Sequence, residues 1–410
     1  MSRVIVDPET IRALPPSQPS HFRGDIQGLR AIAVLLVVLD HAGVPGFEGG
    51  YVGVDVFFVI SGYVITALLL RQGSRHLWSN LATFYARRIR RIVPAATVVL
   101  VATVLVAYVT LGANFNPQLL GDARWASLFA ANFRLIATGS NYFIPGVSPS
   151  LITHYWSLAV EEQFYLVYPL AVLLLTRSSV EQRRRANLAI VLVLGVAVSA
   201  WWSFHQTPLA PVDAYYSPFT RFWELGLGGL AALVPSTWTR RAPRLNAVAS
   251  LLALVVLGYG VVHLNATSSY PGVLAWIPCA ASAVMLVTGT VQARGGPATW
   301  LAWRPCRYVG DISYSLYLYH YAWLMLPLLW ASPTTTWQAR TLEVAGALLC
   351  SILSYHLIEN PIRRSGRLGR DRLAALLVLL VCVALSWNAT LLVARLAHLA
   401  LSVHPLIPMG

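Results

Sequence analysis

The sequence predicts an all-α protein, a polytopic bundle of about ten transmembrane core helices with an eleventh helix at the C-terminal end. Three observations support this. Of the 410 residues, 57% are hydrophobic and only 11% are charged, and the mean hydropathy is +0.61. Apolar runs of about 20 residues, the length that spans a bilayer, recur along the chain. The 30 basic residues, all of them arginine, lie mostly in the short segments between those runs.

Eleven apolar runs bounded by Arg, Pro and Gly clusters are predicted to be helices. They lie at 27–44, 53–71, 90–111, 157–176, 187–204, 219–235, 246–263, 273–291, 312–331, 340–358 and 373–396. Arginines follow the even-numbered runs and are scarce after the odd-numbered ones, so the N-terminus is expected in the cytoplasm of a plasma or inner membrane. This placement accounts for the net charge of +14 without a nucleic-acid partner.

Three parts of the chain are expected: a cytoplasmic tail at 1–23, a membrane domain at 24–370, and an added helix with a short outer tail at 371–410. No signal peptide is visible. The segment 112–156 carries three aromatic residues at helical spacing, which favours an interfacial helix, and 76–86 is a second candidate. These aromatic residues are Trp125, Phe129 and Phe133. The four widely spaced cysteines form no metal or disulfide pattern, so no metal or bound cofactor is expected.

The first two predicted helices contain Arg30, Asp40, His41 and Asp55. An ionisable group at bilayer depth costs roughly 2.5–3.5 kcal/mol or more, so such groups normally face a cavity, a partner or a substrate. Arg30 and His41 are eleven residues apart, which places both side chains on one helix face, about 16 Å apart along the axis. A guanidinium suits a phosphate or a carbonyl, and an imidazole suits a general base. Asp40 points about 100° away, so Asp55 is a comparable candidate to orient His41. The alternative is a structural ion-pair cluster between two helices.

The pattern in which ten residues separate Arg30 from His41, followed by GGYVGVDVFFVISGYVI, closely resembles a known family. This is the acyltransferase-3 family of integral membrane O-acyltransferases. Four further blocks match that family in its order: HYWSLAVEEQFYLVYP at 154–169, RFWELGLGG at 221–229, GDISYSLYLYH at 310–320 and HLIENPIRR at 356–364. The resemblance implies transfer of an acyl group, often acetyl, from cytoplasmic acyl-CoA to a hydroxyl of a carbohydrate, a cell-envelope glycan or a glycosylated metabolite. It also implies that Arg30 aligns the acyl donor and that His41 deprotonates the acceptor or otherwise assists transfer.

Other residues of these blocks each have a structural alternative. Glu161 falls on the family's acidic position, but Glu161 and Glu162 can also cap a helix. Arg221 and Glu224 can form a simple salt bridge, and Trp156 suits an outer aromatic belt. Ser61 favours close helix packing, with an acyl-serine nucleophile as the less favoured option. The predicted catalytic set is therefore His41, Arg30, Asp40, Asp55 and Glu161. The predicted substrate-binding set is Ser61, Tyr63, His154, Trp156, Ser157, Gln163, Tyr165, Arg221, Glu224, Tyr317 and His320.

Two other functions are compatible with buried charge in a helical bundle. A transporter or flippase also needs polar groups beneath a cavity. A relay subunit would hand acyl groups across the membrane to a separate transferase. Relatives with an eleventh helix commonly continue into an extracytoplasmic SGNH-type hydrolase-like domain, so a separate SGNH-type partner is a further expectation. The expected partners are thus the bilayer, acyl-CoA and a carbohydrate acceptor.

Overall fold

The computed structural model describes residues 23–72, 77–143, 150–175, 180–290, 296–330, 336–365 and 372–403. Every regular element in these ranges is helical. Seven of the described helices are long and apolar enough to cross a membrane, which agrees with the predicted multi-pass helical bundle. The predicted cytoplasmic tail lies outside the described residues, apart from Arg23.

In chain order the helices are α1 (Gly24–His41), α2 (Gly53–Gln72), α3 (Leu77–Leu111), α4 (Gln118–Ser127), α5 (Ala131–Ala137), α6 (Tyr155–Leu175), α7 (Glu181–Leu209), α8 (Pro211–Tyr216), α9 (Pro218–Leu233), α10 (Ser236–Arg240), α11 (Pro243–His263), α12 (Trp276–Thr288), α13 (Pro297–Leu301), α14 (Arg304–Met325), α15 (Trp337–Ser354), α16 (Asn360–Arg364) and α17 (Arg372–Val403). Each of the eleven predicted runs overlaps one of these helices in the described residues. A single π-helical turn, Tyr355–Glu359, joins α15 to α16.

Two predictions about the connecting segments are wrong. Residues 77–86, the described part of the second candidate, are not a separate interfacial helix, because they belong to the unbroken helix Leu77–Leu111. The described residues of segment 112–156 that precede α6 hold two short α-helices, α4 and α5, instead of one. Phe129 adopts a left-handed backbone with φ 52°, which a side chain with a Cβ rarely does inside a helix, so the three aromatic residues do not share one helix.

The core is built by close helix pairs. α1 packs mainly against α14, and α2 packs mainly against α9. At the second contact a Cβ on Gly62 would lie 1.8 Å from the backbone oxygen of Leu225, so only glycine allows this approach. The periphery is formed by α7, α11, α15 and α17. In the most apolar stretch of each of these helices, 28% or less is buried inside the bundle. Within the first two helices Asp25 and Asp55 are buried, whereas Arg71 at the end of α2 is exposed.

Candidate active site

A cavity of about 180 Å³ opens between α1, α2, α3, α6 and α14. One part of its lining is apolar, with side chains such as Phe57 and Ile92. Its polar and aromatic lining residues are Gln27, Arg30, Ser61, Arg88, Arg91, Ser157, Glu161, Tyr165, Ser313, Tyr314 and Tyr317. Six residues that the sequence singled out, including Arg30 and Glu161, therefore meet in one space.

Three guanidinium groups give the cavity its charge. Arg30 comes from α1 and donates to Gln27 Oε1 at 3.2 Å. Arg88 and Arg91 come from α3, and the Arg88 guanidinium carbon lies 3.8 Å from the centre of the Tyr165 ring. Sequence reasoning treated Arg88 and Arg91 only as a topology signal. Their spacing of three residues, which places them on one helix face, was the available clue.

Glu161 of α6 is a hydrogen-bond acceptor in the same cavity. It accepts hydrogen bonds from Ser61 Oγ, at 2.5 Å, and from the Tyr165 hydroxyl. Helix α6 begins at Tyr155 and has no acidic residue in its first turn, so the alternative in which Glu161 and Glu162 cap this helix is wrong. Ser61 bonds to a carboxylate, and no imidazole is among its described hydrogen-bond partners.

A histidine cluster lies beyond the cavity, at the end of α1. His41 Nδ1 is 3.0 Å from His320 Nε2, and His41 Nε2 is 2.7 Å from the Tyr142 hydroxyl. The His154 and His320 ring centres are 5.6 Å apart. His41 thus faces α14, and Arg30 lines the cavity on the other side of the Ser157–Tyr317 pair. Tyr142 lies in the long segment before α6, where no motif marked it.

Burial raises the pKa of Tyr142 well above its usual range, so its phenol keeps its proton and acts as a hydrogen-bond donor. Tyr142 lies in the segment between α5 and α6, outside the helices. Its ring packs against Tyr215 and Phe143, with centres 4.9 Å and 5.2 Å away. These contacts fix the hydroxyl that meets His41.

The expectation that Asp40 or Asp55 orients His41 is not met. Asp55 is fully buried and bonds to Arg221 at 3.1 Å. Asp40 points toward the backbone N–H of Tyr51. The reason is helix pairing, because α2 turns Asp55 toward α9 while α1 turns His41 toward α14. The position next to His41 Nδ1, where a carboxylate was expected, is occupied by His320, a residue predicted to bind substrate.

Arg221 joins Asp55 and Glu224 in a fully buried triad of charges. This contact is the salt bridge that the sequence analysis gave as the structural alternative for Arg221 and Glu224. Its Nη1 lies 2.6 Å from Glu224 Oε1. Asp55, Glu224 and Cys279 also bring one potential metal-ligand atom each to within 4.8 Å of one another. The guanidinium already serves both carboxylates as their cation, so these residues fit a salt bridge better than a metal ion.

Several other predicted substrate-binding residues form structural contacts away from the cavity. Trp156 is fully buried with the Arg221 guanidinium 5.3 Å from its ring centre, so the aromatic-belt alternative is wrong. Gln163 ties α6 to Asn132 of α5 at 2.9 Å. Tyr63 accepts from Arg23 at 3.0 Å.

Ser157 and Tyr317 separate the cavity from the histidine cluster. Their hydroxyls are 2.6 Å apart, and both side chains line the cavity. On the other side, the Tyr317 ring centre lies 5.4 Å from that of His320. The cavity and the cluster therefore share a wall made of two polar side chains.

The chain resembles known proteins over most of its length. The family described as "Acyltransferase domain" matches residues 23–359. The chain is 32% identical to the peptidoglycan O-acetyltransferase OatA of Listeria monocytogenes over 83% of this chain and 56% of that protein. It is 33% identical to the putative peptidoglycan O-acetyltransferase YrhL of Bacillus subtilis over 83% of this chain and 55% of that protein. For O-acetyltransferase OatA of Staphylococcus aureus the identity is 28%, over 88% of this chain and 60% of that protein. The chain thus spans little more than half the length of these relatives. No solved structure matches it.

Proposed function

The chain belongs to the acyltransferase family matched over residues 23–359, and from this premise we propose that it is a membrane O-acyltransferase. The proposed reaction moves an acyl group, acetyl in the first instance, from cytoplasmic acyl-CoA to a hydroxyl of a cell-envelope glycan. Peptidoglycan is the proposed acceptor, because the relatives are named for it. The observation that carries the proposal is the arginine-lined cavity, which ends at the wall beside His320, the hydrogen-bond partner of His41.

The cavity suits the donor. Arg30, Arg88 and Arg91 bring three positive charges to one space, and guanidinium groups bind phosphate oxygens strongly. At about 180 Å³ the cavity is smaller than the pockets of about 300–1,000 Å³ that enclose drug-sized ligands. We therefore assign it to the pantetheine arm and the acyl group, with the phosphates of the coenzyme held by the arginines at its rim.

His41 supplies the base. His41 Nε2 takes the proton of the acceptor hydroxyl, whose oxygen attacks the thioester carbonyl, while the carbon–sulfur bond breaks and the coenzyme leaves as a thiolate. The proton then passes from His41 to that thiolate, so the products are the O-acyl ester and free CoA. In this scheme Ser157 and Tyr317 turn aside when the thioester approaches His41.

Purified protein in proteoliposomes tests the proposal with radiolabelled acetyl-CoA and a glycan fragment of peptidoglycan. The wild type is expected to release CoA and to form a base-labile acetyl ester on the glycan. His41→Ala is expected to lower the rate by about 10²–10⁴-fold, the usual contribution of a general base. Arg30→Ala is expected to raise the KM for acetyl-CoA by about tenfold or more, since it removes a charge-assisted contact.

His263→Ala is the matched control, because this exposed histidine at the end of α11 stacks on Tyr259 and lies outside the site. Its rate should equal that of the wild type. Wild-type transfer by His41→Ala would contradict the proposed chemistry. Passage of unmodified glycan across the vesicle, without release of CoA, would identify a carrier instead.

A further inference from the structure

The proton positions around His320 follow from its contacts. This residue is fully buried on α14. Its Nδ1 lies 2.7 Å from the backbone oxygen of Tyr317 and 3.2 Å from that of Leu316. A carbonyl oxygen only accepts hydrogen bonds, so His320 Nδ1 carries a proton.

The second nitrogen of His320 must then be an acceptor. The ring is buried among the rings of His41, His154, Tyr317 and Tyr321, and its described hydrogen-bond partners include no carboxylate. Burial without a carboxylate favours the neutral imidazole, which has one lone pair, on Nε2. His41 Nδ1 lies 3.0 Å from His320 Nε2 and therefore donates its proton to that nitrogen.

This order fixes the tautomer of His41. With its proton on Nδ1, neutral His41 has its lone pair on Nε2. That lone pair accepts from the protonated Tyr142 hydroxyl at 2.7 Å. The chain of hydrogen bonds thus runs in one direction, from Tyr142 through His41 and His320 to the carbonyl of Tyr317.

We propose that His320 is a positioning residue for acyl transfer: it holds His41 with Nε2 as the basic nitrogen, directed toward Tyr142. The proposal rests on the proposed function. When His41 takes up the acceptor proton, its Nδ1–H bond to His320 becomes charge-assisted and stronger, so the contact stabilises the imidazolium. The acceptor hydroxyl then enters from the Tyr142 side and displaces that phenol.

The expected effect is partial, because the carbonyl of Val37, one helical turn before His41, is a second acceptor on the same imidazole. At metal sites, loss of the partner that orients a histidine ligand typically costs about 10–100-fold, and we take that as the scale for this orienting contact. We expect that reduction in kcat and not a complete loss. The KM for acetyl-CoA should stay within about twofold, since His320 does not line the cavity.

Two variants separate the positioning role from packing. The amide of His320→Gln reaches the place of Nε2 and offers an oxygen to His41. The shorter His320→Asn reaches only the place of Nδ1, so it keeps the bond to the Tyr317 carbonyl and loses the bond to His41. In the acetyl-CoA proteoliposome assay the Asn variant is expected to lose about 10–100-fold in kcat, and the Gln variant to recover most of it.

The outcomes are distinct. Wild-type kcat in His320→Asn, or equal losses in both variants at unchanged thermal stability, would overturn the positioning role. If the Asn variant does not fold, His320→Ala with added imidazole replaces it, and failure of imidazole to raise kcat overturns the inference. A wild-type protein that releases no CoA would instead refute the proposed function itself.

Discussion

Replacement of Arg221 by methionine is expected to destabilise the protein strongly. The change keeps most of the side-chain volume but leaves Asp55 and Glu224 without their cation, at 0% exposure each. Carboxylate oxygens of this pair lie within 4.8 Å of each other, and two unit charges at that distance repel by about 3.5 kcal/mol at an effective dielectric constant of about 20. Breaking a buried ion pair typically costs about 3–5 kcal/mol. We expect a loss of that size in the free energy of unfolding.

Titration with SDS in mixed micelles, followed by tryptophan fluorescence, measures this loss. Asp55→Asn, Arg221→Met and Glu224→Gln combined in one protein remove all three charges and are expected to recover most of the stability, because apolar or neutral replacements of buried ion pairs are often tolerated. Arg240→Met, at an exposed position on α10, should change the free energy by no more than about 0.5 kcal/mol. Equal unfolding midpoints for Arg221→Met and the wild type would refute the reasoning.

Two further predictions concern the same part of the bundle. Gly62→Ala is expected to prevent folding, because its Cβ would lie 1.8 Å from a backbone oxygen of α9. The control Gly195→Ala meets no atom within 4 Å and should stabilise α7 by up to about 1 kcal/mol. The yield of monodisperse protein in size-exclusion chromatography distinguishes the two variants. Ser61→Ala removes one of two described donors to Glu161 and should lower acetyl transfer by less than about tenfold. Complete loss, with a labelled serine ester trapped in the wild type, would favour the acyl-serine route instead.

The fold was largely predictable because lipid-spanning helices have a strong signal. The apolar runs and the arginines between them predicted eleven helices, and each run overlaps a helix of the described residues. The errors fall where that signal is weak. The sequence prediction began this helix at residue 90, with its apolar part, and left out the more polar start of α3. No residue in 77–90 breaks the helix. The backbone of Phe129 interrupts a regular aromatic spacing, and nothing in the identity of a phenylalanine indicates a left-handed conformation.

Within the site, periodicity along one helix was informative. The eleven-residue spacing placed Arg30 and His41 on one face of α1, and the block at 154–169 supplied Glu161 and Tyr165, which line the cavity with Arg30. The hydrogen-bond partners were not predictable in this way. His41 meets Tyr142 and His320, which are 101 and 279 residues away. A spacing rule applies within one helix and cannot reach residues so distant in the chain.

Helix pairing decides these partners, and glycine contacts decide the pairing. A Cβ on Gly310 would lie 1.9 Å from the backbone oxygen of Gln27, so α14 approaches α1 closely and His320 reaches His41. Gly62 does the same for α2 and α9, which brings Asp55 to Arg221. Asp55, one of the two carboxylates predicted to orient His41, is thus paired with Arg221 of α9. These two helix pairings explain why the residue next to His41 Nδ1 is His320 and not an aspartate. In a bundle where charge is costly, a histidine pair supplies a directed hydrogen bond without adding a second buried ion.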